Sequence, residues 1–205
     1  MTPPEIILAT TNRHKVCEIQ EIFSDLSITF LSPEQFPKMP KIIEDGKTFE
    51  ENAIKKASLV SQYTGKIALA DDSGIAVDFL NGAPGIYSAR FAGEEASDEE
   101  NNSKLMTLLS QVPDEKRRAV YHCVVAVATP EGKCFTSEGI CEGKIAIKPS
   151  GKQGFGYDPI FYYPPFQKTF GNTPPLDKNR VSHRFQALIL MRPKIISLLL
   201  NTHNH

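Results

Sequence analysis

The chain has 205 residues, with 23 Lys and Arg against 24 Asp and Glu, a formal net charge of −1, and 40% apolar residues. That length suits one domain, or one domain with a lobe, and is enough to bury a sizeable core. So balanced a charge excludes a global pull on nucleic acid or an anionic membrane, and leaves any phosphate binding to local clusters.

The opening "MTPPEIILAT" lacks the basic and long apolar regions of a secretion signal, so a cytoplasmic protein is expected. "EIILAT" (5–10), a short apolar run after prolines, predicts a buried strand. Val16, Ile19, Ile22, Phe23 and Leu26 then recur at helical spacing. "ITFLS" predicts a second strand, and "SPEQFPKMPKIIEDG" a proline-broken loop. "TFEENAIKKASLVSQY" predicts a helix whose acidic first turn suits the helix dipole. "KIALADD" predicts a third strand ending at the paired aspartates, and "SDEE" (97–100) a capping box ahead of another helix. The β-branched run 118–128, the turn "TPEGK" and "CFTSEGICEGKIAI" predict a long hairpin. "GKQGFGYDP" and "FGNTPPLDKNR" are predicted loops, Ser182 a helix N-cap, and "HNH" (203–205) a frayed tail.

The most apolar segment, "QALILMRPKIISLLL", is interrupted by Arg192, Pro193 and Lys194, so it reads as a buried or amphipathic helix rather than a membrane span. The four cysteines form no CxxC pair, and three lie in strand-like sequence, which suits reduced core residues. Strands first alternate with helices and later pair locally, which predicts an α/β fold with a mixed sheet.

Four stretches could carry chemistry. In "LATTNRHK" a strand runs into a helix through Thr10, Thr11 and Asn12, with Lys15 in the first turn. A helix N-terminus offers N–H groups to phosphate, and the competing reading is that Thr11 or Asn12 simply caps the helix. Glu44, Asp71, Asp72, Asp78 and Asp158 supply carboxylates, and hard Mg²⁺ takes one or two of these with water and substrate phosphate. Adjacent aspartates face opposite sides of a strand, so both reach one ion only if Ser73–Gly74 bends the chain. The competing reading is an Asx turn. The glycine-rich sequence that follows leads to Arg90, which it could bring towards phosphates. In "GFGYDPIF" glycines flank Phe155, a flat surface for stacking, with Asp158 placed to accept from a ring N–H. An aromatic strand edge accounts for Tyr157, Ile160 and Phe161 as well. In "LDKNRVSHRFQAL" Lys178, Arg180, His183 and Arg184 crowd a helix start, where cations oppose the dipole and call for an anion or carbonyl partner.

Together "LATTNRHK", "ADDSGIAVDFLNGAPGIYSARFAG", "GFGYDPIF" and "SHRFQAL", supported by "TFEENAIKKA", resemble the inosine triphosphate pyrophosphatases, also called dITP/XTP pyrophosphatases. The resemblance runs from about residue 6 to 190. It implies a long twisted mixed β-sheet flanked by helices, two lobes with a central substrate cleft, and a single domain over 1–205, usually in a homodimer. It also implies Mg²⁺-dependent hydrolysis of ITP, dITP and XTP to the monophosphate and pyrophosphate. By motif, Thr10, Thr11, Asn12, Arg13, His14 and Lys15 correspond to the phosphate loop, and Lys56 to a second triphosphate contact. Asp72 corresponds to the general base and metal ligand, Glu44 to its metal partner, and Ser73 to a neighbour of the substrate. Phe155, Gly156, Tyr157 and Asp158 correspond to the base-stacking strip, and Lys178, His183 and Arg184 to the base-reading set. Thr11 and Phe185 stand where the family usually has glycine.

On this reading Asp72 positions or deprotonates a water, and Lys15 and Lys56 steady the leaving pyrophosphate. Arg184 or Lys178 donating to a 6-oxo group rejects adenine, whose 6-amino group is itself a donor. Two other functions compete. A Maf-type pyrophosphatase should lack the "GFGYDP" and "SHR" pair, and a non-catalytic nucleotide sensor has no need of Asp72, Lys15 and Lys56. A small-molecule nucleoside triphosphate is the expected partner, with no nucleic acid and no membrane.

Overall fold

The computed structural model describes residues 3–36 and 38–202, with side chains to residue 200; the predicted "HNH" tail lies outside the described residues. The strands are β1 (Glu5–Leu8), β2 (Thr29–Leu31), β3 (Ala68–Val77), β4 (Arg118–Ala128), β5 (Cys134–Ile145), β6 (Phe161–Tyr163) and β7 (Lys168–Thr169). They form a seven-stranded sheet in the order β2-β1-β3-β4-β5-β6-β7. β1 pairs parallel with β2 and β3, whereas β5–β6 and β6–β7 are antiparallel, so the predicted mixed α/β sheet is observed. The helices are α1 (Arg13–Ile22), α2 (Phe49–Thr64), α3 (Asp98–Leu108), α4 (Pro175–Asn179) and α5 (His183–Thr202).

Two predicted boundaries are corrected. The third strand does not end or bend at Ser73–Gly74; β3 continues to Val77, because Ile75 and Val77 bury fully in a second core and keep the chain extended. The loop predicted over "FGNTPPLDKNR" contains a 3-10 turn (Phe170–Asn172) and the short α4, which starts with Pro175 at its first position, where a missing N–H costs nothing.

The chain forms two compact units. One holds residues 1–72, 123–139 and 184–205; the other holds 73–122 and 140–183. In the first, the period of two along the strands sorts side chains to opposite faces. Ile6, Leu8 and Leu69 pack with Ile19 and Phe23 of α1 and with Leu188, Met191 and Ile195 of α5. Ile7, Ala68 and Ala70 pack with Ala53, Ala57 and Val60 of α2. Each such fully buried Leu, Ile or Phe stabilises the unit by about 1.5–3 kcal/mol relative to exposure. In the second unit Ile75, Val77, Tyr121, Phe161 and Phe170 pack against Leu105 and Leu109.

Local signals fix the helix ends. Thr48 Oγ1 accepts the Glu51 N–H at 3.1 Å at the start of α2, and Gly65 closes that helix at φ +64°. The predicted capping box of Ser97 and Glu100 opens α3. α5 begins one residue after Ser182 and runs through Pro193. All four cysteines are free, with Cys123 and Cys141 buried. Among the described residues no helix is long and apolar enough to cross a membrane.

Candidate active site

Strand alternation separates the paired aspartates. Asp71 continues the Leu69 face, towards α1 and α5; Asp72 continues the Ala70 face, towards α2. Lys56 Nζ lies 2.9 Å from Asp72 Oδ1 and 3.2 Å from Glu44 Oε1, so one ammonium joins the two expected metal-binding carboxylates. Asn52, one helical turn before Lys56, donates to Asp72 Oδ2 at 3.2 Å while its own Oδ1 accepts from Gly46 N–H. The Asp72 carboxyl is pushed up to about 6, first by burial and then by the Glu44 carboxylate, against the pull of Lys56. Burial opposes the charge on Lys56, but Asp72, Glu44 and Asp71 outweigh it and raise its pKa.

On the other face, Lys15 Nζ lies 3.0 Å from Asp71 Oδ2, and the same oxygen accepts from Arg184 Nε and Nη2, each at 3.1 Å. Arg184 Nη1 donates to Glu18 Oε2 at 2.5 Å. Burial would raise the Asp71 carboxyl, yet Lys15, Arg184 and Lys56 hold it far below the usual carboxylate range. Cations gathered at the start of α5 called for an anionic partner, and for Arg184 that partner includes Asp71. Asn12 caps α1, its Oδ1 accepting from the N–H groups of His14 (3.0 Å) and Lys15 (3.3 Å), while its own N–H donates to Thr10 Oγ1 at 3.2 Å. The capping reading of that motif therefore holds, and the first-turn N–H groups of His14 and Lys15 already have an acceptor. Thr11 and Arg13 stand exposed beside it.

The second unit carries the other predicted residues. Asp158, 1% exposed, accepts the Phe155 N–H at 2.9 Å and pairs with Lys178 Nζ at 2.6 Å. The Lys178 ammonium lies 4.7 Å from the centre of the Phe155 ring and 5.9 Å from that of Phe170. His183 stacks on Tyr121 with centroids 4.5 Å apart, and the Tyr121 hydroxyl donates to Asp158 at 3.3 Å. Tyr157 is buried and donates to the Ser88 carbonyl at 2.8 Å. Arg90 ends a 3-10 turn, 3.7 Å from Glu94 and over the ring of Tyr87. Ser73 is half-buried on β3, and Asp78 pairs with Arg118 at the surface.

A model of the Ham1 family matches residues 6–194. The chain belongs to the Ham1 family. A dITP/XTP pyrophosphatase of Geobacter sulfurreducens is 50% identical to it over 91% of this chain and 94% of that protein. Another, of Desulforamulus reducens, is 48% identical over 90% and 92% of the two. Among solved structures, a HAM1 protein from Coxiella burnetii superposes with a TM-score of 0.86 at 43% identity, covering 95% of this chain and 99% of that one.

Sequence reasoning on this Ham1 chain missed Asn52, Glu18 and Tyr121. Asn52 and Glu18 had a readable signal: each is a polar residue three or four positions from a lysine on the same helix face. Tyr121, inside a β-branched run, carried none. One substitution tests the second group directly. A Cβ on Gly154, whose φ is +76°, would lie 2.0 Å from Asp158 Oδ2. Gly154→Ala is therefore expected to destabilise the protein by about 1–3 kcal/mol, read by thermal unfolding.

Proposed function

We infer that this chain hydrolyses non-standard purine nucleoside triphosphates such as dITP and XTP to the monophosphate and pyrophosphate. The observation that carries the reading is its near-full-length identity, 48–50%, to curated dITP/XTP pyrophosphatases. Each unit carries side chains of a kind that such a reaction uses. Asp72, with its carboxyl pushed up to about 6, is suited to take a proton from water near neutral pH. Asn52 and Lys56 orient that carboxylate, and Lys15 and Lys56 supply positive charge for phosphate oxygens. Phe155 offers a stacking face for the base, and Lys178, held by Asp158, a donor for a 6-oxo group.

Mg²⁺ is the proposed cofactor. Asp72 and Glu44 suit it: two carboxylates drawn to one ammonium can accept a hard cation. Among the described residues no cluster of three or more His, Cys, Asp or Glu is placed to enclose one. So sparse a donor set matches an ion whose other positions are filled by water and substrate phosphates. When bound, the ion would neutralise charge on the triphosphate. A homodimer, on the strength of the family resemblance, and a cytoplasmic setting, on that of the free cysteines, complete the proposal.

The test is to incubate the pure protein and Mg²⁺ with dITP, XTP, GTP, ATP and dUTP and identify the products. Pyrophosphate from dITP and XTP, with the other three slower, is expected. Orthophosphate as the product would displace the proposed bond, and equal rates on all five would displace the substrate class.

A further inference from the structure

Phe155 stands between two glycines in the left-handed region, Gly154 at φ +76° and Gly156 at φ +59°. Glycine moves easily among backbone conformations, yet a base stacks well only on a ring whose plane is fixed. One anchor is Asp158, which accepts the Phe155 N–H. A second comes from α3, an element to which no motif gave a role beyond its capping box. Asp98 Oδ2 accepts the Gly156 N–H at 2.6 Å, and Asn102 Nδ2 donates to the Gly156 carbonyl at 3.0 Å.

Residues four apart share a helix face, so one face of α3 takes both polar groups of a single residue. The capping box fixes the turn from which Asp98 projects. Beside this grip an open groove of about 910 Å³ runs between helix and loop, lined by Met106, Lys152 and Pro159 among others. On the groove side that stretch is not packed against α3, whereas Tyr157 beyond it is buried in the core. For its own docking α3 does not depend on the grip. Leu105 and Leu109 are fully buried, and Asn101 ties the helix to Ala89 and Ala92 by hydrogen bonds of 3.2 and 2.7 Å.

We propose that Asp98 and Asn102 are positioning residues that clamp Gly156 and so hold the Phe155 ring at the angle base stacking requires. The proposal rests on the assignment of Phe155 to the base.

Asp98→Ala and Asn102→Ala are assayed with dITP, separating KM from kcat, while backbone amide exchange across residues 155–157 is followed on the same proteins. Losing one hydrogen bond of ordinary net strength should raise KM about fivefold, with kcat within about twofold and faster exchange at Gly156. Asp98→Asn keeps an acceptor for the Gly156 N–H and should restore most of the KM. Asn102→Asp sets a carboxylate against the Gly156 carbonyl and should be worse than alanine. Unchanged KM overturns the proposal, as does a fall in kcat at constant KM, or a KM rise with exchange at Gly156 unaltered. If Asn102→Ala does not fold, the two variants of the exposed Asp98 decide. The unsubstituted protein separates the two readings: no pyrophosphate from dITP defeats the substrate assignment, whereas exchange at Gly156 reports on the clamp alone.

Discussion

Asp72→Asn is expected to lower kcat by about a thousandfold or more, within the range that a positioned acid–base group contributes, and to change nucleotide affinity far less. The substitution keeps the size and the bond from Asn52, but removes the proton acceptor. Lys56 retains Glu44 at 3.2 Å, so its ammonium keeps a carboxylate partner. Pyrophosphate release reads the first quantity and calorimetric binding of dITP the second. Near-normal turnover would remove Asp72 from the chemistry, and a collapse of affinity equal to the loss in rate would make it a binding group instead.

The neighbouring carboxylate should behave in the opposite way. Asp71 has no exposed side-chain surface and holds Lys15 and Arg184, the latter 1% exposed. Removing one partner of a buried ion pair leaves the other charge uncompensated, at a cost of about 3–5 kcal/mol. Asp71→Asn should therefore lower the melting temperature by about 6–20 °C, given roughly 2–4 °C per kcal/mol for a chain of this size. Thermal unfolding measures it, and a shift under about 2 °C would show the network to be dispensable. The dependence on pH has a definite sign. The folded Asp71 carboxyl is depressed, so its stabilisation is fully present above the ordinary aspartate range and is lost progressively as pH falls from that range into strong acid.

Much of the fold was legible because its signals are local. The strand–helix alternation, the acidic start of α2, the Ser97–Glu100 box and the turn between β4 and β5 each depend on residues close in the chain. The end of β3 was not legible. Ser73–Gly74 reads as a breaker, and only the burial of Ile75 and Val77 against distant partners overrides it. α4 was hidden for a related reason, since a pair of prolines signals a loop unless the second begins a helix. At the site, residue types were readable and partnerships were not. Arg184 reads as a cation at a helix start; its contact with Asp71 joins residues 113 positions apart, which no periodicity encodes. Alternation did separate Asp71 from Asp72, and it correctly assigned them to different surroundings.

The ten-residue length of β3 has one more consequence. Asp72 is mounted in the middle of an inner strand, one paired on both sides by ladder hydrogen bonds of the kind that open last. Phe155 stands on a glycine-flanked loop held by hydrogen bonds from Asp158, Asp98 and Asn102, contacts that open more readily than a central ladder. On the roles proposed for Phe155 and Asp72, warming should therefore blur the distinction between right and wrong bases before it stops hydrolysis. A protein so built would fail first as a sieve and only later as a catalyst.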